Sequence, residues 1–484
     1  MHKRFVVNIT ARIVFFVSLV MLIPLLWGVV ENSHSLEVKA FMETILIGTI
    51  GSGIILLFFR IPKETLQKIN TKDGLAIVGF SWICLSALGA LPLYLSHVVP
   101  SYTDAFFEIV SGFTTTGATI FTDIEALPKG ILFWRSLTHW LGGMGIIVLY
   151  IALLPALGGN TYQLYKAEAP GLTVERVEPS IRETAKNLWT IYFTLSIAET
   201  LLLMLFGMSL FDALCHTFGT MATGGFSTKN ASVAAYGPGV QWVIIVFMFL
   251  AGMNFIFHYQ IAHGQWKSVF KNEEFRYYSG IILVVSVVFS GVLFFTNISD
   301  HAVRESIFQV VSILTTTGFT TADFSLWPYF EQFVLVVLMF IGGCGGSTGG
   351  GMKIVRIVLS TKIAARSVIQ TIYPNAILPI KFNKMAVPDR LVIAVSSYFI
   401  VFLLLFFMGS ALLCLTERCD ILTAITAAIS ALGNIGPGLG DVGPIHNYGW
   451  VSHAGKWVLV FLMLAGRLEL YSILILLVPS TWKK

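Results

Sequence analysis

The chain reads as long apolar runs joined by short polar connectors. A helix needs about 20 predominantly apolar residues to cross the hydrocarbon of a bilayer. Ten runs approach that length: 13–30, 42–59, 74–98, 131–157, 188–211, 240–262, 279–296, 332–359, 391–415 and 456–479. Four shorter apolar segments, 104–113, 212–221, 305–314 and 421–431, span about half a membrane and are expected to re-enter rather than cross. The first run follows Lys3 and Arg4, as a signal peptide would. It is long for a signal core and no small-x-small site follows it, so it is expected to be the first span. The predicted fold class is an all-α polytopic membrane protein.

The short segments resemble one another. Residues 104–117 read DAFFEIVSGFTTTG, 212–225 DALCHTFGTMATGG, 305–318 ESIFQVVSILTTTG and 423–436 TAITAAISALGNIG, aligned without gaps. The runs that follow align as well, through Gly143, Gly252, Gly343 and Gly466. A repeat of this kind defines the organisation. It predicts an N-terminal two-helix hairpin (1–73) and four span–pore-helix–filter–span units around one pore, at 74–187, 188–276, 277–390 and 391–484.

A half-length helix followed by a Thr/Gly-rich stretch leaves backbone carbonyls unpaired at membrane depth, which is tolerated only along a cavity. Four such stretches around one axis supply rings of oxygens that replace the water shell of a dehydrated monovalent cation. Glycine permits the backbone angles that turn the carbonyls inward, and helix C-termini aimed at the axis add negative potential. The expected filter carbonyls are those of Thr115, Thr116, Gly117 and Ala118; Thr223, Gly224, Gly225 and Phe226; Thr316, Thr317, Gly318 and Phe319; and Asn434, Ile435, Gly436 and Pro437. Asp123, Asp323 and Asp441 follow the glycines by five or six residues, with Asn230 in the second unit. They are either an outer-vestibule ring that concentrates cations or ordinary solvated acids.

Residues 342–351, GGCGGSTGGG, interrupt the second span of the third unit with seven glycines. Each costs about 1 kcal/mol against alanine in a helix, so an unwound loop across the pore is expected, with Gly345, Gly346, Ser347, Thr348, Gly349 and Gly350 as a gate. No phosphate-loop motif fits, because Lys353 follows Met352. Arg467 is a mid-span cation, costing roughly 2.5–3.5 kcal/mol on insertion scales. It is expected to bind the gate loop's carbonyls, pair with Glu469 or repel cations. Glu199, also mid-span, is expected to be a packing or helix–helix partner.

Composition narrows the class further. Hydrophobic residues make up 56% of 484 and charged residues 12%, too little charge to coat a soluble surface. The 31 Lys and Arg against 26 Asp and Glu are not a nucleic-acid signal once placed along the chain. With the N-terminus inside, 23 of the basic residues fall on the inner side, Lys353 and Arg356 among them, and seven on the outer (Lys39, Lys129, Arg135, Lys229, Arg304, Arg418 and Lys456), leaving Arg467. That bias sets the orientation, with both termini cytoplasmic. Five cysteines without CxxC and ten histidines without HExxH give no transition-metal site. No nucleophile, metal cluster or acid–base pair lies on the spans, so no enzyme is expected.

With TTTG at 114–117, TGG at 223–225, TTTGF at 315–319 and GNIGPG at 433–438, the chain resembles the Trk/Ktr/HKT superfamily of potassium transporters, nearest its bacterial TrkH branch, over essentially its whole length. The resemblance implies one potassium pore per protomer in the bacterial inner membrane. It also implies a homodimer and a cytosolic TrkA-like, RCK-type subunit that carries the nucleotide (ATP/ADP or NAD). Potassium is then the substrate, and nothing is covalently bound. Each unit keeps only the first glycine of the channel signature, and Asn434-Ile435 depart from the other units. Gly117 argues for potassium, since a serine there marks sodium-selective relatives. A sodium- or proton-coupled symporter is the alternative, although it predicts inverted repeats and paired carboxylates.

Overall fold

The computed structural model describes residues 2–31, 35–59, 71–145, 181–479 and 482. The inner connectors 60–73 and 159–187 and the end of the run 131–157 lie largely outside the described residues. Helices α1 (Lys3–Val20) and α2 (Leu22–Val30) form one span, and α3 (Ser35–Phe58) returns. Then come α4 (Thr71–Leu95), the short α5 (Tyr102–Phe113) and α6 (Lys129–Gly143). The same order recurs in α7 (Ile181–Leu205), short α8 (Leu210–Met221) and α9 (Pro238–Ala251), followed by α10 (Phe255–Ala262) and α11 (Trp266–Lys271). It recurs again in α12 (Glu273–Phe295), short α13 (Ala302–Leu314), α14 (Tyr329–Phe340) and α15 (Ile354–Ile372), with a small hairpin of β1 (Lys381–Phe382) and β2 (Met385–Ala386). Finally come α16 (Asp389–Thr416), short α17 (Ile421–Gly433), α18 (His453–Arg467) and α19 (Tyr471–Leu477).

Ten runs are expected to span, one of them (332–359) broken by the loop 342–351, and the described residues show fewer unbroken crossings. Six helical runs among the described residues are long and apolar enough to cross: α1–α2, α3, α4, α7, α12 and α16. The second helix of each later group ends close to its aligned glycine. Helix α6 ends at Gly143. Helices α9 and α10 meet at 98°, where Asn254 caps α10 by accepting from Ile256 N–H (2.9 Å). Helices α14 and α15 are separated by residues 341–353. Helix α18 stops at Arg467, and Glu469 and Leu470 then take left-handed backbone (φ 57° and 61°). Hydropathy sums composition along a run and cannot register such a break.

The four short helices have 12 or 13 residues, about 18–20 Å at 1.5 Å per residue, well short of the ~30 Å hydrocarbon. Three begin on side-chain caps: Ser101 accepts from Asp104 N–H, Ser209 from Asp212 N–H, and Asp420 from Thr423 N–H. Each short helix packs between the long helix before it and the one after it, and also against a helix of the preceding group. That extra contact is α8 on α6, α13 on α9, α17 on α14, and α5 on α18. The last contact closes a ring. The α1–α3 hairpin packs outside it, on α4 and α6. Outward residues such as Ile393, Ile400, Leu404 and Phe407 of α16 are apolar and exposed, as a lipid-facing surface requires.

Candidate functional site

All four short helices end the same way. Thr115, Thr223, Thr316 and Asn434 adopt left-handed backbone (φ 54°, 53°, 60° and 55°). The next residue's N–H turns back to a carbonyl five residues earlier: Thr116 to Ser111 (2.9 Å), Gly224 to Gly219 (2.7 Å), Thr317 to Ser312 (2.8 Å) and Ile435 to Ser430 (2.9 Å). This is a Schellman closure, which normally places glycine or asparagine at the left-handed position. Only Asn434 conforms. A β-branched residue there is an outlier, costing of order 1–3 kcal/mol, and such strain persists where surrounding structure over-determines it. Two residues on, Gly117, Gly225, Gly318 and Gly436 are also left-handed (φ 79°, 78°, 81° and 101°). Carbonyls along an ordinary strand alternate sides; left-handed backbone at every second residue brings them to one side.

The segments seat on one another cyclically. A Cβ on Gly117 would overlap the Gly224 carbonyl oxygen, one on Gly225 the Thr317 oxygen, and one on Gly318 the Ile435 oxygen. One on Gly436 would press on the Thr116 oxygen, closing the circle. Each glycine thus rests on the carbonyl just before the next segment's glycine. The sixteen residues expected to line a filter are therefore brought to one place. A cup of about 150 Å³ opens at the four glycines.

Hydrogen-bond accounting separates these carbonyls from the rest of the fold. From the left-handed residue to the glycine, none accepts a hydrogen bond among the described residues, with one exception. The Gly436 carbonyl accepts from Ser430 Oγ (2.7 Å) and Tyr448 OH (2.8 Å). Gly436 thus differs from the other three glycines in that two hydroxyls hold its oxygen. In the third unit, Ser312 Oγ likewise donates to the Phe319 carbonyl (2.6 Å).

Behind the segments stands a set of buried polar side chains that the sequence reading missed. The fifth residue of each 14-residue segment is Glu108, His216, Gln309 or Ala427. Glu108 accepts from Ile120 N–H (2.9 Å) and Thr119 Oγ1 (3.0 Å). His216 Nε2 lies 2.9 Å from Ser227 Oγ, and the Gln309 amide oxygen, turned toward Thr321 N–H, accepts at 2.8 Å. In the fourth segment the neighbouring Thr426 takes the role, accepting from Leu439 N–H (3.0 Å). Each tethers the chain leaving the glycine. Arg135, counted from the sequence as an outer-loop cation, is corrected to a buried partner of Glu108 at 2.7 Å. Its guanidinium also lies 4.2 Å over the Phe226 ring. Breaking a buried pair by removing one partner costs about 3–5 kcal/mol. Arg135→Ala is expected to lower the melting temperature of the purified protein sharply. Glu108→Gln with Arg135→Met should recover part of that loss.

Residues 341–353 cross beneath the segments. Gly342 and Met352 bond across the base of the loop (2.8 Å). Gly350 N–H donates to Thr316 Oγ1 (2.7 Å), and a side chain on Gly349 would press on the Thr315 carbonyl. Gly345 N–H donates to Glu274 (2.6 Å), Phe255 N–H to the Gly346 carbonyl (3.0 Å), and Lys353 Nζ to the Gly349 carbonyl. Ser347 and Thr348 are buried. Lys353 and Arg356, counted as inner-loop charges, are instead buried, and Arg356 pairs with Glu469. Arg467 donates to the carbonyls of Thr348 (2.5 Å), Gly142 (2.5 Å) and Gly143 (2.6 Å), so it ties the loop to the end of α6. Glu199 is fully buried on α7 near Thr220.

The three aspartates do not line the cup. Asp123 and Asp323 turn onto their own backbone, accepting from Glu125 N–H (3.2 Å) and Ser325 N–H (3.0 Å), as Asx turns do. Asp441 sits in an exposed turn whose N–H is held by Thr423. An acidic ring facing the cup is therefore not formed. Asn230 does line it, and its amide bonds Asp123 (2.9 Å), holding that carboxyl below its usual range.

Comparison with known proteins gives a consistent picture. The family described as "TrkH: Cation transport protein" matches residues 39–484. The Trk system potassium uptake protein TrkH of Salmonella typhimurium is 39% identical over 492 residues, covering 100% of both chains. The Trk system potassium uptake protein TrkG of Escherichia coli is 33% identical, covering 100% of this chain and 99% of its own. The crystal structure of the potassium transporter TrkH from Vibrio parahaemolyticus superposes with a TM-score of 0.88 at 37% identity, covering 100% of both chains.

Proposed function

The chain belongs to the TrkH family of cation transport proteins, and from that premise we propose that it takes potassium into the cell through a gated pore whose selectivity filter is formed by the four left-handed segments. The observation that carries this reading is the set of backbone carbonyls, on buried or half-buried residues, that accept no hydrogen bond among the described residues. Buried backbone acceptors are nearly always paired in folded proteins. Here they lie together, on strained backbone, at the C-termini of four half-length helices whose partial negative charge favours a cation. Potassium loses its water shell to such oxygens, and a negative interior favours inward movement by about 2.3 kcal/mol per charge per 100 mV.

In this reading the chain divides into the hairpin and four pore units, and the loop 342–351 is the gate. Its contacts with Thr316 and the Thr315 carbonyl support that role, with Arg467 and Lys353 as its latches. The positive charge bias along the sequence supports an orientation with both termini inside. The "Trk system" names of the relatives fit a multi-component assembly, in which a cytosolic nucleotide-binding subunit controls a homodimer.

The test is uptake of radioactive rubidium by the purified protein in liposomes under a negative-inside potential, with sodium and proton gradients imposed or collapsed. Uptake driven by potential alone, competed by potassium and far less by sodium, is the expected result. Uptake that requires a sodium or proton gradient would favour coupled symport.

A further inference from the structure

The four glycines of the proposed filter are alike in backbone and seating, but one differs in what holds its oxygen. The carbonyls of Gly117, Gly225 and Gly318 accept no hydrogen bond among the described residues. That of Gly436 accepts from Ser430 Oγ at 2.7 Å and Tyr448 OH at 2.8 Å. A carbonyl has two lone pairs, and two donors engage both. Its backbone departs accordingly, with φ 101° where the other three lie at 78–81°.

Tyr448 is well fixed for this task. Its side chain is buried at 3% exposure, and its ring lies 5.8 Å from that of Phe107 on α5. Its N–H donates to the Thr119 carbonyl just beyond the first segment (2.8 Å). The residue therefore braces the fourth segment against the first from the cup side, while Ser430 of α17 holds the same oxygen from behind.

We propose that Tyr448 is a specificity-determining positioning residue, which with Ser430 holds the Gly436 carbonyl away from the axis so that a cation at the glycine level meets three backbone oxygens rather than four. The inference rests on the reading of the four segments as a cation filter. With one oxygen withdrawn, the field that replaces the hydration shell is weaker and less symmetric, and preference for potassium over sodium is lower than four oxygens give. Specificity is a difference of affinities, and the number of coordinating dipoles enters that difference directly.

The experiment measures potassium and sodium competition against rubidium uptake in liposomes. Tyr448→Phe removes only the hydroxyl and keeps the ring on Phe107 and the backbone bond to Thr119. Tyr448→Phe with Ser430→Ala frees the carbonyl completely. The potassium-to-sodium ratio is expected to rise about twofold in the single variant and about fivefold in the double. Ser430→Ala alone, expected near twofold as well, keeps the test decisive if the double variant does not fold. An unchanged or lower ratio in the folded variants overturns the proposal. Gly117→Ser in the same assay separates the two levels of the argument. If it shifts the ratio and the Tyr448 and Ser430 variants do not, the filter stands and the role of Tyr448 falls. If none of them shifts it, the filter reading falls too.

Discussion

Gly117→Ser is expected to lower the preference for potassium over sodium by about tenfold, the equivalent of about 1.4 kcal/mol. Two effects act together. An L-residue in left-handed backbone costs roughly 1–2 kcal/mol, and Gly117 has φ 79°. The added Cβ would also overlap the Gly224 carbonyl oxygen, which belongs to the neighbouring segment. The backbone can relieve the overlap only by moving one of the two, and either shift displaces oxygens around the whole circle. Gly264→Ser is the control, since that glycine is also left-handed (φ 76°) but has nothing within 4 Å of an added Cβ. It bears the strain without the overlap and should leave the uptake ratio as it was.

Arg467→Ala is expected to raise basal potassium uptake about tenfold without changing the potassium-to-sodium ratio. Hydrogen bonds from a charged donor contribute about 1.5–3 kcal/mol each, and Arg467 makes three to carbonyls, one of them in the loop under the segments. Losing even one such bond shifts a closed–open equilibrium by about a factor of ten. In the proposed pore the guanidinium charge beneath the four segments also opposes a passing cation, and its removal acts in the same direction. Arg467→Lys keeps the charge but loses the fork, so its uptake should fall between wild type and alanine. Glu469→Ala removes the partner of Arg356 and should destabilise the protein more than it opens it. Equal thermal destabilisation by Arg467→Ala and Glu469→Ala, with flux per folded molecule unchanged, would leave Arg467 as a structural residue.

The sequence carried the ring more legibly than the wall behind it. The ungapped match of four 14-residue segments located the left-handed glycine that ends each segment, because close approach of backbone to backbone leaves no substitute for glycine at those positions. The aligned Gly143, Gly252, Gly343 and Gly466 likewise mark where the second helices end, but only the seven glycines of 342–351 announce a break in the sequence, and the other three runs read as unbroken spans. Charge misled in two places. Arg135 and Arg356 look like loop cations by composition, yet each is paired with a carboxylate distant in sequence. The polar fifth position of the segments was visible in the alignment as Glu108, His216 and Gln309, and periodicity alone gave no reason to single it out. Tyr448 lies in an irregular stretch whose course is set by tertiary contacts, and nothing local to it points back to Gly436. At Asp123, Asp323 and Asp441 the sequence left two readings open, and regular spacing alone could not say that these side chains turn away from the cup.

The central claim is that the unpartnered carbonyls coordinate a dehydrated potassium ion. The most direct measurement is a crystal structure of the purified protein in rubidium, with data collected at the rubidium absorption edge. Anomalous peaks on the axis enclosed by the carbonyls of Thr116, Gly117, Gly224, Gly225, Thr317, Gly318 and Ile435, and displaced by potassium but not by an equal concentration of sodium, are the predicted result. Rubidium bound only elsewhere, or carbonyls at those positions bonded to protein donors instead, would contradict it.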